Sequence, residues 1–140
     1  MALLVLAGCG SDPGSPPPAP AAAAAAARVG AVELRVELAT TSAQRKQGLR
    51  GRAAVPPGTG MAFPYDPARP VRFTMAGVDL PLVAVFARQG RAVSVEQLAP
   101  CAGSVEQCPV YGPAAAVDLV LEAAPGTLAG ARVGDAVTLG

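Results

Sequence analysis

Residues 31–41 read AVELRVELATT. Val32, Leu34, Val36 and Leu38 alternate with Glu33, Arg35 and Glu37. Strict alternation places one set on each face of an extended chain, so this stretch predicts a half-buried β-strand. It is followed by TTSAQRKQGLRGR, in which Thr41 precedes Gln44 by three positions. That spacing is a capping box and predicts a short helix from about Ser42 to Leu49, with Gly51 as its stop. Arg50 and Arg52 would leave its end.

Strand signals recur downstream. GMAFPY (60–65) follows turn chemistry at Pro56–Gly60, and VRFTMA (71–76) sets Val71, Phe73 and Met75 against Arg72 and Thr74. LPLVAVFA (80–87) is almost wholly apolar, the pattern of a strand covered on both faces. The turn Arg88-Gln89-Gly90 then leads into RAVSVEQLA (91–99), the second arm of an expected hairpin. AAVDLVLEAA (115–124) alternates again, and DAVTL (135–139) predicts a last short strand. Roughly seven strands and one helix predict a mainly β domain, an antiparallel sandwich or small barrel.

The chain begins MALLVLAGCG, and Leu6-Ala7-Gly8-Cys9 looks like the lipobox of a bacterial lipoprotein. Residues 1–9 are therefore expected to be a signal segment, with Cys9 the lipid-bearing residue. No Lys or Arg precedes Arg28. Secretory signals carry a positive start, so the true start is expected upstream of Met1. Residues 10–28, GSDPGSPPPAPAAAAAAAR, contain no large apolar side chain and are expected to be a Pro/Ala-rich disordered tether. Residues 29–140 would be the folded domain. The expected setting is the cell envelope, with the membrane as a partner through the lipid on Cys9.

Composition narrows the chemistry. The net charge is +1, and there is no His and no Trp. A Ser-His-Asp or Cys-His nucleophile is excluded within one chain. Nothing in the charge balance points to nucleic acid. PCAGSVEQCPVYGP (100–113) holds Cys101 and Cys108. Two cysteines without histidine fall short of a four-ligand zinc site, and their spacing is not Cys-x-x-Cys. In an exported protein the pair is expected to be a structural disulfide. No metal, cofactor or catalytic residue is expected.

The motifs line up in order: strand, GLRGR, GMAFPY, FTM, LPLVAVF, a Glu-bearing strand, then PC and CPVYGP, and a closing strand. From about Val32 to Leu139 this resembles DUF192, a family without an established activity. The resemblance implies a jelly-roll-like β-fold with one short helix. It departs where the family usually carries Lys-Asn-Thr after the Phe-x-Met motif; here stand Ala76-Gly77-Val78. The family's Asp after Pro-Leu is replaced by Val83.

Among possible ligand-binding groups, Arg52 sits in the Gly-x-Arg motif, with Arg50, Arg69 and Arg72 as further cations. Guanidinium forks suit carboxylate or phosphate. Asp79 and Glu96 are the carboxylates nearest the motifs, and Tyr111 follows the second cysteine. Phe73, Met75 and Phe86 read as core. The expected function is a non-catalytic binding module for a protein or small-molecule partner. The alternative is an envelope hydrolase or transferase, which would require Arg52, Arg72, Asp79 and Glu96 to converge on one cleft.

Overall fold

A computed structural model describes residues 23–140. Cys9, the lipobox and most of the expected tether lie outside the described residues. In chain order the elements are β1 (Ala24–Val29), β2 (Val32–Leu38), α1 (Ser42–Gln47), β3 (Thr59–Arg69), β4 (Phe73–Thr74), β5 (Leu82–Arg88), β6 (Arg91–Leu98), β7 (Val110–Tyr111), β8 (Val117–Ala123) and β9 (Val137–Leu139). Seven strands form one curled sheet, a half-barrel, in the order β6-β5-β8-β3-β2-β1-β9. The short strands β4 and β7 pair separately.

The sheet is mainly β, as the alternation predicts, but it is not purely antiparallel. β2 and β3 run parallel, with Arg35 opposite Thr59 and Leu38 opposite Ala62. A parallel pair needs a crossover, and α1 with its exit supplies it. The capping box forms: Thr41 accepts from the Gln44 amide, and the Gln44 side chain accepts from the Thr41 amide. The helix ends earlier than its sequence suggests. Gly48 at φ 49° serves as its C-cap, so Leu49 leaves the helix and packs into the core.

Strand β1 is the other departure. Ala24–Arg28, assigned by composition to the tether, pair with Glu33–Glu37 of β2. A run of alanines carries no polar–apolar alternation, so its strand character depends on the neighbours that receive it. Here β2 and β9 flank it on both sides.

The β5–β6 hairpin turns at Gln89 and Gly90, both at positive φ. Two such residues match the right-handed twist of the flanking strands. At this end the two sheet edges meet: the Ala92 amide donates to Asp135 O (2.9 Å), and the Val137 amide donates to Gly90 O (2.9 Å).

Two apolar cores result. One draws residues from all seven strands, among them Ala27, Leu34, Ala62, Val83, Ala92, Leu121 and Val137. A cluster fed from both edges lies inside the curl. The second, on the opposite face, joins Phe63, Leu82, Phe86 and Val120 to Leu49, Met75 and Val78, with Phe73 and Tyr111 packed against them. Strand β5 is buried on both faces, as its apolar run predicts.

The Cys101 and Cys108 sulfurs are 2.10 Å apart, a disulfide. Its loop stands beside the β4–β7 ribbon, where Cys101 bridges to Ala76 and Val78. Tyr111 Oη accepts from the Ala99 amide at 3.3 Å. Closing so short a loop stabilises by about 2.5 kcal/mol on the chain-entropy account. The double variant Cys101→Ser/Cys108→Ser is therefore expected to lose about that much in urea unfolding, with an m-value no smaller than the wild type's.

Candidate functional site

On the face carrying the second core, the exit of α1 and the β3–β4 connection frame a cleft of about 380 Å³. Its lining is mixed, and the apolar part is Leu49, Phe63, Val71, Phe73, Met75, Val78 and Leu82. Phe73 packs edge-on against Phe63 (centroids 5.0 Å apart) and against Phe86 (5.8 Å), which fixes the aromatic wall.

Five cations contribute to the lining: Arg45, Lys46, Arg50, Arg69 and Arg72. Arg45 and Arg69 both stack on the Tyr65 ring, with guanidinium carbons 5.6 and 4.8 Å from its centroid. Arg45 Nη1 also donates to Thr40 O at 2.8 Å. Arg72 Nη1 donates to Val71 O (2.9 Å) and Pro113 O (2.8 Å), tying the connection between β7 and β8 to the cleft edge. Among the described residues the two salt bridges are Arg28–Glu33 and Arg52–Glu37, so none of the five has a carboxylate partner.

The lining includes one acid. Glu122, on β8, is only 5 % exposed. Burial alone pushes its carboxyl up to about 7, from an ordinary 4.5. Its cross-strand partners are Met61 on β3 and Ala84 on β5. Burial also raises Tyr65, opposed by the field of Arg45 and Arg69. A second cleft of about 280 Å³ shares Arg45, Tyr65 and Arg69 and adds Asp66.

The residues singled out by sequence scatter. Arg72 lines the main cleft, whereas Arg52, Asp79, Glu96 and Tyr111 do not. Arg52 turns outward into a two-pronged pair with Glu37, Nη1 to Oε1 at 2.8 Å and Nη2 to Oε2. That pair holds the Glu37 carboxyl below its usual range, and it is exposed enough for solvent to screen it. Asp79 is exposed. Glu96 lies on β6 opposite Ala84, with Oε2 buried and without a hydrogen-bond partner. Tyr111 braces the ribbon through Ala99. No residue of 100–113 walls the cleft, so the cysteine loop acts only through the ribbon it supports. Among the described residues, no three His, Cys, Asp or Glu side chains gather into a metal cluster.

Glu122 was missed by sequence reasoning. The available signal was an acid on the same strand face as Val120, which is fully buried.

Comparison with known proteins gives a fold and a family. The chain is similar to a crystal structure from Sinorhizobium meliloti 1021, described as a candidate transcription regulator, at 30 % identity and TM-score 0.75. The match covers 85 % of this chain and 95 % of that one. It is also similar to a protein of unknown function from Novosphingobium aromaticivorans DSM 12444, at 26 % identity and TM-score 0.73, over 82 % and 84 % of the two chains. No curated protein matches significantly. The family model of DUF192, described as "Uncharacterized ACR", matches residues 24–139, from β1 to the end of β9. The chain belongs to the DUF192 family.

Proposed function

We propose that the domain is a non-catalytic binding module, held at the bacterial envelope by lipid on Cys9, whose main cleft takes a small organic anion with an apolar body. One observation carries the reading. Five cations without carboxylate partners among the described residues contribute to a cleft that also presents aromatic and aliphatic side chains. Unbalanced guanidinium groups favour a carboxylate or phosphate, and the walls suit a hydrocarbon body. A volume of about 380 Å³ lies in the range of small-molecule sites. A DNA-reading role, suggested by the description of the Sinorhizobium protein, needs a basic stripe along a surface. Here the cations gather at one cleft and the net charge is +1. The hydrolase reading loses its support, because Arg52, Arg72, Asp79 and Glu96 do not share a cleft.

Calorimetric titration with 3-phenylpropionate at low salt tests the site. Arg69→Gln is expected to weaken binding about tenfold, the worth of one charge-assisted contact. Arg88→Gln, on the far hairpin, is expected to leave it unchanged. A wild-type protein that takes up neither 3-phenylpropionate nor phenylphosphonate would remove the reading. For the anchor, radiolabelled palmitate is expected to enter the wild-type protein in cells and to be absent from Cys9→Ser.

A further inference from the structure

The unexplained group in the cleft is Glu122. It is 5 % exposed and sits on β8, with strands paired on either side. Among the described residues its carboxyl forms no side-chain hydrogen bond and no salt bridge. A buried polar group without a partner is costly, and folded chains leave few of them. Many uncharged residues of similar size would fill this position without that cost. Its neighbour on β5 is Ala84, which is fully buried and offers the carboxyl no hydrogen-bonding side chain. Glu122 is also part of the cleft lining. The cleft therefore offers two kinds of recognition: exposed guanidinium groups, and a buried acceptor that the fold itself does not use.

We propose that the cleft selects ligands that carry a hydrogen-bond donor, a hydroxyl or an amine, at the end remote from their anionic group, and that Glu122 is the acceptor that reads it. The proposal rests on the cleft being the anion-binding site. The cations hold the carboxylate or phosphate at the outer end. The body lies along Phe63, Phe73 and Leu82, and the donor meets the carboxyl. A ligand lacking the donor fills the same walls but leaves the Glu122 carboxyl desolvated and unpaired.

Three probes separate the contributions: 3-(4-hydroxyphenyl)propionate, with both groups; 3-phenylpropionate, without the donor; and 4-ethylphenol, without the anion. Titrated at pH 8 against the whole chain, the first is expected to bind at least about tenfold more tightly than the second, as a hydrogen bond to a charged group would give. In Glu122→Met that preference is expected to vanish, with 3-phenylpropionate binding more tightly than to the wild type, because the unpaired carboxylate no longer opposes it. Glu122→Gln, closer in shape, serves as the second variant should the Met protein fail to fold. It is expected to reduce the preference, because an amide is a weaker acceptor than a carboxylate. Equal affinity of the two propionates for the wild type overturns the donor proposal and leaves the anion site standing. Binding of 4-ethylphenol alone, or of no probe, overturns the anion site and the proposal with it.

Discussion

Gly60→Ala is expected to destabilise the domain by at least about 3 kcal/mol, well beyond an ordinary overpacking cost. Gly60 lies on β3, between β2, where it faces Val36, and β8, where it faces Ala123. A Cβ built there would overlap the carbonyl oxygen of Glu122 and crowd the Ala123 Cβ at 3.2 Å. The obstacle is backbone in the middle of the sheet. No rotamer change relieves it, so β3 and β8 would have to part. Urea unfolding measures the effect, and Gly126→Ala is the control. Gly126 has open space around its Cβ position and no positive φ, so its substitution is expected to stay within about 0.5 kcal/mol. A loss under about 1 kcal/mol at Gly60 would mean that the two strands are not so close. Met61 and Glu122 are the next pair along this ladder, so the same contact holds the backbone that carries Glu122.

The stability of the wild-type domain is expected to fall by about 3 kcal/mol between about pH 4.5 and pH 8, through Glu122. The folded chain keeps the Glu122 proton up to about pH 7, whereas an unperturbed carboxyl releases it near 4.5. Between these values the folded state binds more protons than the unfolded one, so stability declines as pH rises. The contribution is fully present below about 4.5 and gone once pH passes about 7. That interval, at about 1.4 kcal/mol per pH unit, sets the size of the effect. Glu37 acts with the opposite sign and at lower pH, since Arg52 depresses its carboxyl. Comparison of the wild type with Glu122→Gln isolates Glu122. The variant does not titrate there, so the stability difference between the two is expected to change by about 3 kcal/mol across the window. Parallel pH profiles would show that the carboxyl is well solvated in the folded state.

Much of the fold is written in local pattern. The alternation of Val32–Leu38, the Thr41/Gln44 box and the Gln89-Gly90 turn each specify their element through nearest neighbours, and each forms. The parallel pairing of β2 with β3 is different in kind. Alternation says which residues face inward, but it is silent on strand direction. The helix between them was the clue, since a crossover is what a parallel pair requires. Ala24–Arg28 illustrate the same limit: an alanine run becomes a strand because β2 and β9 accept it.

The cleft was less legible. Arg52 stood out by its motif and proves to serve a surface ion pair. Arg45 and Arg69 are 24 positions apart and meet only because β3 brings Tyr65 between them. Asp79 and Glu96 lie near the motifs in sequence, but neither lines the cleft: Asp79 is exposed in the connection between β4 and β5, and Glu96 is on β6. Glu122 looked like one more polar position in an alternating strand. Its burial depends on strands β3 and β5, which lie on either side of it, and no local pattern reports that.

The central claim is that this cleft is the ligand site, and leucine methyl spectra test it directly. Leu49 and Leu82 line the cleft, whereas Leu34, Leu121 and Leu128 belong to the core inside the curl. On titration with 3-(4-hydroxyphenyl)propionate, the Leu49 and Leu82 methyl resonances are expected to move and saturate together, with Leu34, Leu121 and Leu128 unmoved. Saturable shifts confined to the inner-core leucines, or no saturable shift at Leu49 and Leu82, would contradict the claim.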